Sequence, residues 1–162
     1  MFWILLTQHP QQIYLIDMKN PLRNHNCTFC SAAIIARMKG YKVSAAELNG
    51  NGFTPDTVKK WFYTGANFEK PNCKTVKELE AYLASQGDGH YGTMHIKSKG
   101  LFPRTHSAVY AVKNGNVEFI DGQIQGLYGD HDKLFKFYNI NNVEVADLTH
   151  ANLSWTALKA VI

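Results

Sequence analysis

No stretch of the 162-residue chain approaches the roughly 18 consecutive apolar residues of a membrane span, so no membrane insertion is expected. No five basic residues run together either. The formal net charge of +4 comes from scattered Lys and Arg, which marks no nucleic-acid stripe and favours acidic partners only weakly. Three cysteines are too few for a disulfide-stapled secreted scaffold, and reduced thiols are the expectation. The opening MFWILLTQHP lacks a basic n-region and a small-residue cleavage site, so it reads as a poor signal peptide. Repeats, low-complexity tracts and linkers are missing as well. What remains, 45% hydrophobic and 12% aromatic residues, suffices to close one sizeable core, and residues 1–162 are expected to form a single α+β domain.

The front half reads mainly as helix. Residues 2–18 hold two short apolar runs around a Gln/Pro turn, consistent with strands or an extended segment. Residues 28–39 then place Phe29, Ala32, Ala33, Ala36 and Met38 close to one helical face, with Arg37 and Lys39 in the last turn and Gly40 at the C-cap. Thr54-Pro55 is an N-cap and N1 pair ahead of Val58, Trp61 and Phe62. Thr75 and Glu78 stand at capping-box spacing ahead of Leu79, Tyr82 and Leu83. The back half turns to β-formers: YGTMHI, THSAVYAV and NVEFID, the last two joined by Asn114-Gly115, a strong hairpin signal.

Chemistry concentrates at NCTFC. A cysteine at a helix start faces free backbone N–H groups and the positive end of the helix dipole, both of which favour thiolate over thiol. Cys27 holds that place. Its proton needs a base, and His106 opens an apolar strand. His106 stands eight residues before Asn114, and Asp121 six after Gly115, so the hairpin brings them to one end of the sheet. An acid there orients the imidazole, completing nucleophile, base and orienter.

NCTFC ahead of a helix ending in RMKGYKV, then GDGHYG and THSAVYAVKNGNVEFIDGQ, resembles the papain-fold toxin domains of the glutamine deamidase type found in bacterial polymorphic toxins and phage-associated effectors. The likeness runs over about residues 20–125, with a weaker echo in NNVEVADLTH. It implies a papain-like fold, with the nucleophile at a helix N-terminus packed on a C-terminal antiparallel sheet. It also implies Cys27 as nucleophile, His106 as general acid and base, Asp121 as orienter and Gln123 as a polar, substrate-binding contact. Gly122 departs from the Asp-Pro-Gln common in the family. Papain's oxyanion glutamine has no evident counterpart here, with Asn20, Asn24 and Asn26 as the upstream polar residues. The Cys27 backbone N–H is a further donor.

Activity and setting follow from the resemblance: deamidation of a glutamine side chain on a target-cell protein, without metal or organic cofactor. The domain would be secreted or injected by a larger delivery protein or system, act in the target-cell cytoplasm, and be held in check by a cognate immunity protein. Alternatives stay open. Papain uses the second of two cysteines at this spacing, which would point to Cys30. The same three residues would also serve a protease or a transglutaminase. Cys27, Cys30, Cys73 and a histidine could make a zinc site, and CxxC could be a redox pair. A basic, non-catalytic or RNA-directed toxin module is the rival of another class. For Trp61, Phe62, Tyr63 and Phe68 the simplest reading is core. His90 and His95 read as surface or packing residues, and His9, His25, His131 and His150 lack a supporting constellation.

Overall fold

The computed structural model describes residues 27–43, 54–122, 126–127 and 129–154. The early apolar runs, His9, His25, Asn20, Asn24, Asn26 and Gln123 lie outside these residues. Among these residues the first element is helix α1, Cys27–Met38, and the next is α2, Pro55–Trp61. The chain continues through β1, Tyr63–Thr64, β2, Phe68–Glu69, and α3, Val76–Ala84. Three longer strands come next: β3, Tyr91–Lys97, β4, Thr105–Lys113, and β5, Asn116–Asp121. After β6, Gly126–Leu127, helix α4 spans His131–Phe137, a 3-10 turn Ile140–Asn142, β7 Glu144–Asp147 and β8 Asn152–Leu153. The chain is therefore mixed α+β, with a helical first part and an antiparallel sheet after it.

The helices start and stop where side chains can satisfy their free ends. Thr54 accepts the Thr57 N–H, and Thr75 accepts the Glu78 N–H. The Glu78 carboxylate reaches the Lys74 N–H, one residue before the cap it was expected to close. Helix α4 has an Asp130 cap that accepts the Lys133 N–H, a start signal the sequence reading passed over. At its far end α1 closes with a Schellman turn. Gly40 takes φ +94°, its N–H reaches the Arg37 carbonyl, and the Tyr41 N–H reaches that of Ala36.

The main sheet has six strands in the order β2-β7-β3-β4-β5-β6, with β1 and β8 paired apart from it. β4 and β5 form the expected hairpin. Asn114 and Gly115 both take positive φ, and Lys113 pairs with Asn116. Each face of the sheet carries its own core. Residues Tyr91, Val109, Ala111 and Ile120 pack with α1 and Phe62, while Met94, Ala108, Tyr110 and Phe119 pack with Leu79, Leu83, Leu134 and Phe135.

Two readings of burial need correction. Helix α1 is buried from Thr28 through Ala36 and again at Met38, so it is covered nearly all round instead of along one face. Its alanines and Ser31 are small enough to let the backbone close on β4. Trp61 is not core: it is 52% exposed at the end of α2, with the Lys60 ammonium over its ring. Phe62 and Tyr63 are buried, and Phe68 is half-buried, stacked on His95 with centroids 5.1 Å apart. That histidine is a buried packing residue whose ring nitrogens have no hydrogen-bond partner, and burial pushes its pKa down to about 4.

Candidate active site

Cys27 is the first residue of α1, where the backbone N–H groups of the opening turn have no partner within the helix. The helix is anchored against β4 by a buried hydroxyl pair. Ser107 donates to Ser31 at 2.9 Å, and Thr93 on β3 donates to the Ala108 carbonyl at 3.1 Å. This clamp fixes the tip of α1 at the start of β4. The Ser107 backbone N–H and the Thr28 hydroxyl lie near the Cys27 sulfur and favour its thiolate.

His106 and Asp121 meet through hairpin register. The last β4–β5 pair is Val109 with Ile120, so continuing the register sets Asp121 opposite Ala108, two residues from His106 and on the same face. His106 Nε2 and Asp121 Oδ2 are 2.6 Å apart. With Nε2 committed to the carboxylate, Nδ1 is the ring nitrogen left for the thiol, and His106 and Cys27 lie close enough that each shifts the pKa of the other. The structure thus brings Cys27, His106 and Asp121 into one chain of contacts.

Two further histidines pair with carboxylates, which makes the pairing itself weak evidence. His90 lies 2.6 Å from Asp147 and His131 lies 2.5 Å from Glu80, so His131 does have a partner. Burial and a thiol separate the three. The His106–Asp121 side chains are 12% and 2% exposed, against 29% and 33% for His90–Asp147 and 19% and 36% for His131–Glu80. Among the described residues only the His106 pair has a cysteine close enough to shift the imidazole pKa.

Electrostatics push the two reacting groups in opposite directions. Burial raises the Cys27 thiol, but the hydrogen bond and charge of His106, with the Ser107 N–H and the Thr28 hydroxyl, outweigh it and hold the pKa below the ordinary thiol value. Burial would lower the His106 pKa, yet its bonds to Asp121 and Cys27, together with their charges, raise it to about 10. A thiolate–imidazolium pair is the resting form this arrangement favours at neutral pH. Cys30 goes the other way. It is buried one turn into α1, and burial plus the charges of Cys27 and Asp121 push its thiol up to about 12. Cys73 packs in the core on the opposite face of the sheet, and all three cysteines are free. Among the described residues no three His, Cys, Asp or Glu side chains are grouped to hold a metal ion.

One residue at this site escaped sequence reasoning. Tyr138, just past α4, stacks on His106 with centroids 5.8 Å apart and planes 21° from parallel. Burial and the nearby charges of Asp121 and Cys27 raise its pKa. Its chain position is set by pairing with Ser98, just after β3, which no local pattern announces. The ring covers the imidazole and keeps water from the His106–Asp121 bond. Removing it in Tyr138→Ala is expected to lower turnover about tenfold, and Tyr138→Phe, which keeps the ring, is expected to restore it; steady-state kinetics of both variants checks this.

In comparisons with known proteins, no family model, no curated protein and no solved structure matches the chain. The functional reading therefore rests on the chemistry of these residues.

Proposed function

We propose that the chain is a cysteine-dependent acyl-transfer enzyme with a papain-like arrangement, in which Cys27 attacks, His106 moves protons and Asp121 orients His106. The contact chain Cys27–His106–Asp121 carries this reading. Within that class we infer deamidation of a protein glutamine by a bacterial toxin or effector domain, the activity implied by the NCTFC and IDGQ resemblance. The Cys27 thiolate adds to the glutamine carboxamide carbon, and the oxyanion is met by N–H groups at the tip of α1. The protonated His106 gives its Nδ1 proton to the leaving nitrogen, and ammonia departs as the thioester forms. His106, now neutral, takes a proton from water, whose oxygen attacks the thioester carbonyl. Glutamate is released, and the proton on His106 re-forms the ion pair.

Water as acceptor distinguishes deamidation from transamidation, and a carboxamide in place of a peptide bond distinguishes it from proteolysis. The partners that follow are a protein substrate in the target cell and a cognate immunity protein covering the cleft. Mass spectrometry of target-cell proteins exposed to wild type, Cys27→Ala and Cys30→Ala tests the reading. A glutamine-to-glutamate shift of about one dalton is expected with wild type and Cys30→Ala, and not with Cys27→Ala. Cleaved fragments would move the reaction to proteolysis, and loss with Cys30→Ala alone would move the nucleophile.

A further inference from the structure

The most exposed large apolar side chains among the described residues lie close in the chain to His106 and Tyr138. Leu101 is 92% exposed and Phe102 is 89% exposed, side by side at the tip of the β3–β4 turn. The turn is closed at its base: the Ser98 N–H reaches the Arg104 carbonyl at 2.9 Å, and the Arg104 N–H reaches Ser98 Oγ at 2.8 Å. Phe137, 71% exposed, lies beside it, because the Lys99 N–H bonds the Phe137 carbonyl and the Asn139 N–H bonds that of Lys97. His106 follows Phe102 by four residues, so the two backbone positions stand within about 14 Å of each other.

Formal charge along the β3–β4 hairpin has one sign. Residues 89–117 contain Lys97, Lys99, Arg104 and Lys113 and no Asp or Glu. Lys97, Lys99 and Arg104 are exposed, and so are Lys133 and Lys136 on the adjoining α4, whose exposed acidic residues, Asp130 and Asp132, sit at its N-terminal end.

We propose that the turn 98–104, together with Phe137, docks the protein on an anionic lipid surface, with Leu101 and Phe102 entering the headgroup boundary. Two side chains standing almost wholly in water on a projecting turn suit a fluid interface, which needs no shaped pocket to receive them. Lys97 and Arg104 meet the lipid charge around them, while the Lys99 ammonium, which also donates to the Phe135 carbonyl at 2.9 Å, adds its charge from the base of the turn. No helix among the described residues is long and apolar enough to cross the bilayer. Docked this way, His106 is held near the membrane surface, four residues from the inserted turn. The inference goes beyond glutamine deamidation and stands independently of it.

The test is co-sedimentation of the full chain with phosphatidylcholine vesicles, with and without phosphatidylserine, at low and high salt. Wild type is expected to sediment with the phosphatidylserine vesicles, weakly with phosphatidylcholine alone, and less as salt rises. Taking Leu or Phe out of water is worth roughly ten- to hundredfold in partition, and each basic residue about fivefold. Leu101→Ser/Phe102→Ser is therefore expected to lose at least about tenfold in vesicle binding. Both side chains are free of the core, so alkylation of Cys27 by iodoacetamide should stay at the wild-type rate and report an intact fold. Wild type that remains in the supernatant of anionic vesicles overturns the proposal and leaves a protein surface as the partner of the patch. A double variant that sediments like wild type overturns it equally.

Discussion

His106→Ala is expected to lower turnover of a glutamine carboxamide by about a thousandfold or more, the largest functional effect of any single change outside Cys27. Three contributions vanish together. The thiolate loses the hydrogen bond and charge that hold its pKa down, the leaving ammonia loses its proton donor, and water loses its base. Asp121→Asn should be milder, about tenfold, because a carboxamide oxygen still accepts the Nε2–H while its charge is gone. A single-turnover ammonia-release assay on both variants checks the order. Because His106→Ala leaves a buried carboxylate with one partner fewer, thermal unfolding of the same samples separates lost chemistry from lost fold.

Gly92→Ala is expected to produce the largest loss of stability. A β-carbon at position 92 would stand 1.9 Å from the Ala146 carbonyl oxygen and 2.8 Å from the ring and hydroxyl of Tyr110. The first contact is backbone of β7, and the second is a buried ring whose hydroxyl is tied to Gln86 at 2.8 Å. Neither can move without opening the sheet, since β3 is paired on both sides, Gly92 to Tyr110 in β4 and to Asp147 in β7. The cost should be on the order of 3 kcal/mol or more, a fall in Tm of roughly 6–12 °C for a chain of this size, readable by calorimetry. A variant melting within a degree or two of wild type would contradict the close approach of β3 and β7.

Position 92 also shows where sequence reading stops. Within YGTMHI the glycine signals that something approaches the backbone closely, but only tertiary pairing shows that it is Ala146 of β7, inserted between β2 and β3. Local grammar was legible: the Thr54 and Thr75 caps, the Gly40 stop and the Asn114-Gly115 hairpin each depend on a few consecutive residues. The His106–Asp121 pairing was legible for the same reason, because a tight turn sets the register on both sides of it. Cys27 stands at the first residue of α1, as a nucleophile at a helix start requires, with Cys30 buried one turn in. Its meeting with His106 depends on α1 packing against β4 through Ser31 and Ser107, a contact between distant segments that periodicity does not encode. Tyr138 was illegible for the same physical reason, and Trp61 was misread because an aromatic at a helical spacing can as well end a helix in water as enter the core.

The most direct measurement is the pH dependence of iodoacetamide alkylation at each cysteine, followed by peptide mass spectrometry in wild type and His106→Ala. Cys27 deprotonates below the ordinary thiol range while His106 stays protonated up to about 10, so the ion pair exists between those limits and its thiolate is available at neutral pH. The expected result is that Cys27 reacts first, with a midpoint below that of a free thiol, that Cys30 and Cys73 stay unmodified in the folded chain, and that His106→Ala moves the Cys27 midpoint upward. A Cys27 midpoint at or above the ordinary thiol value, or one unchanged by His106→Ala, would contradict a nucleophile activated by this histidine.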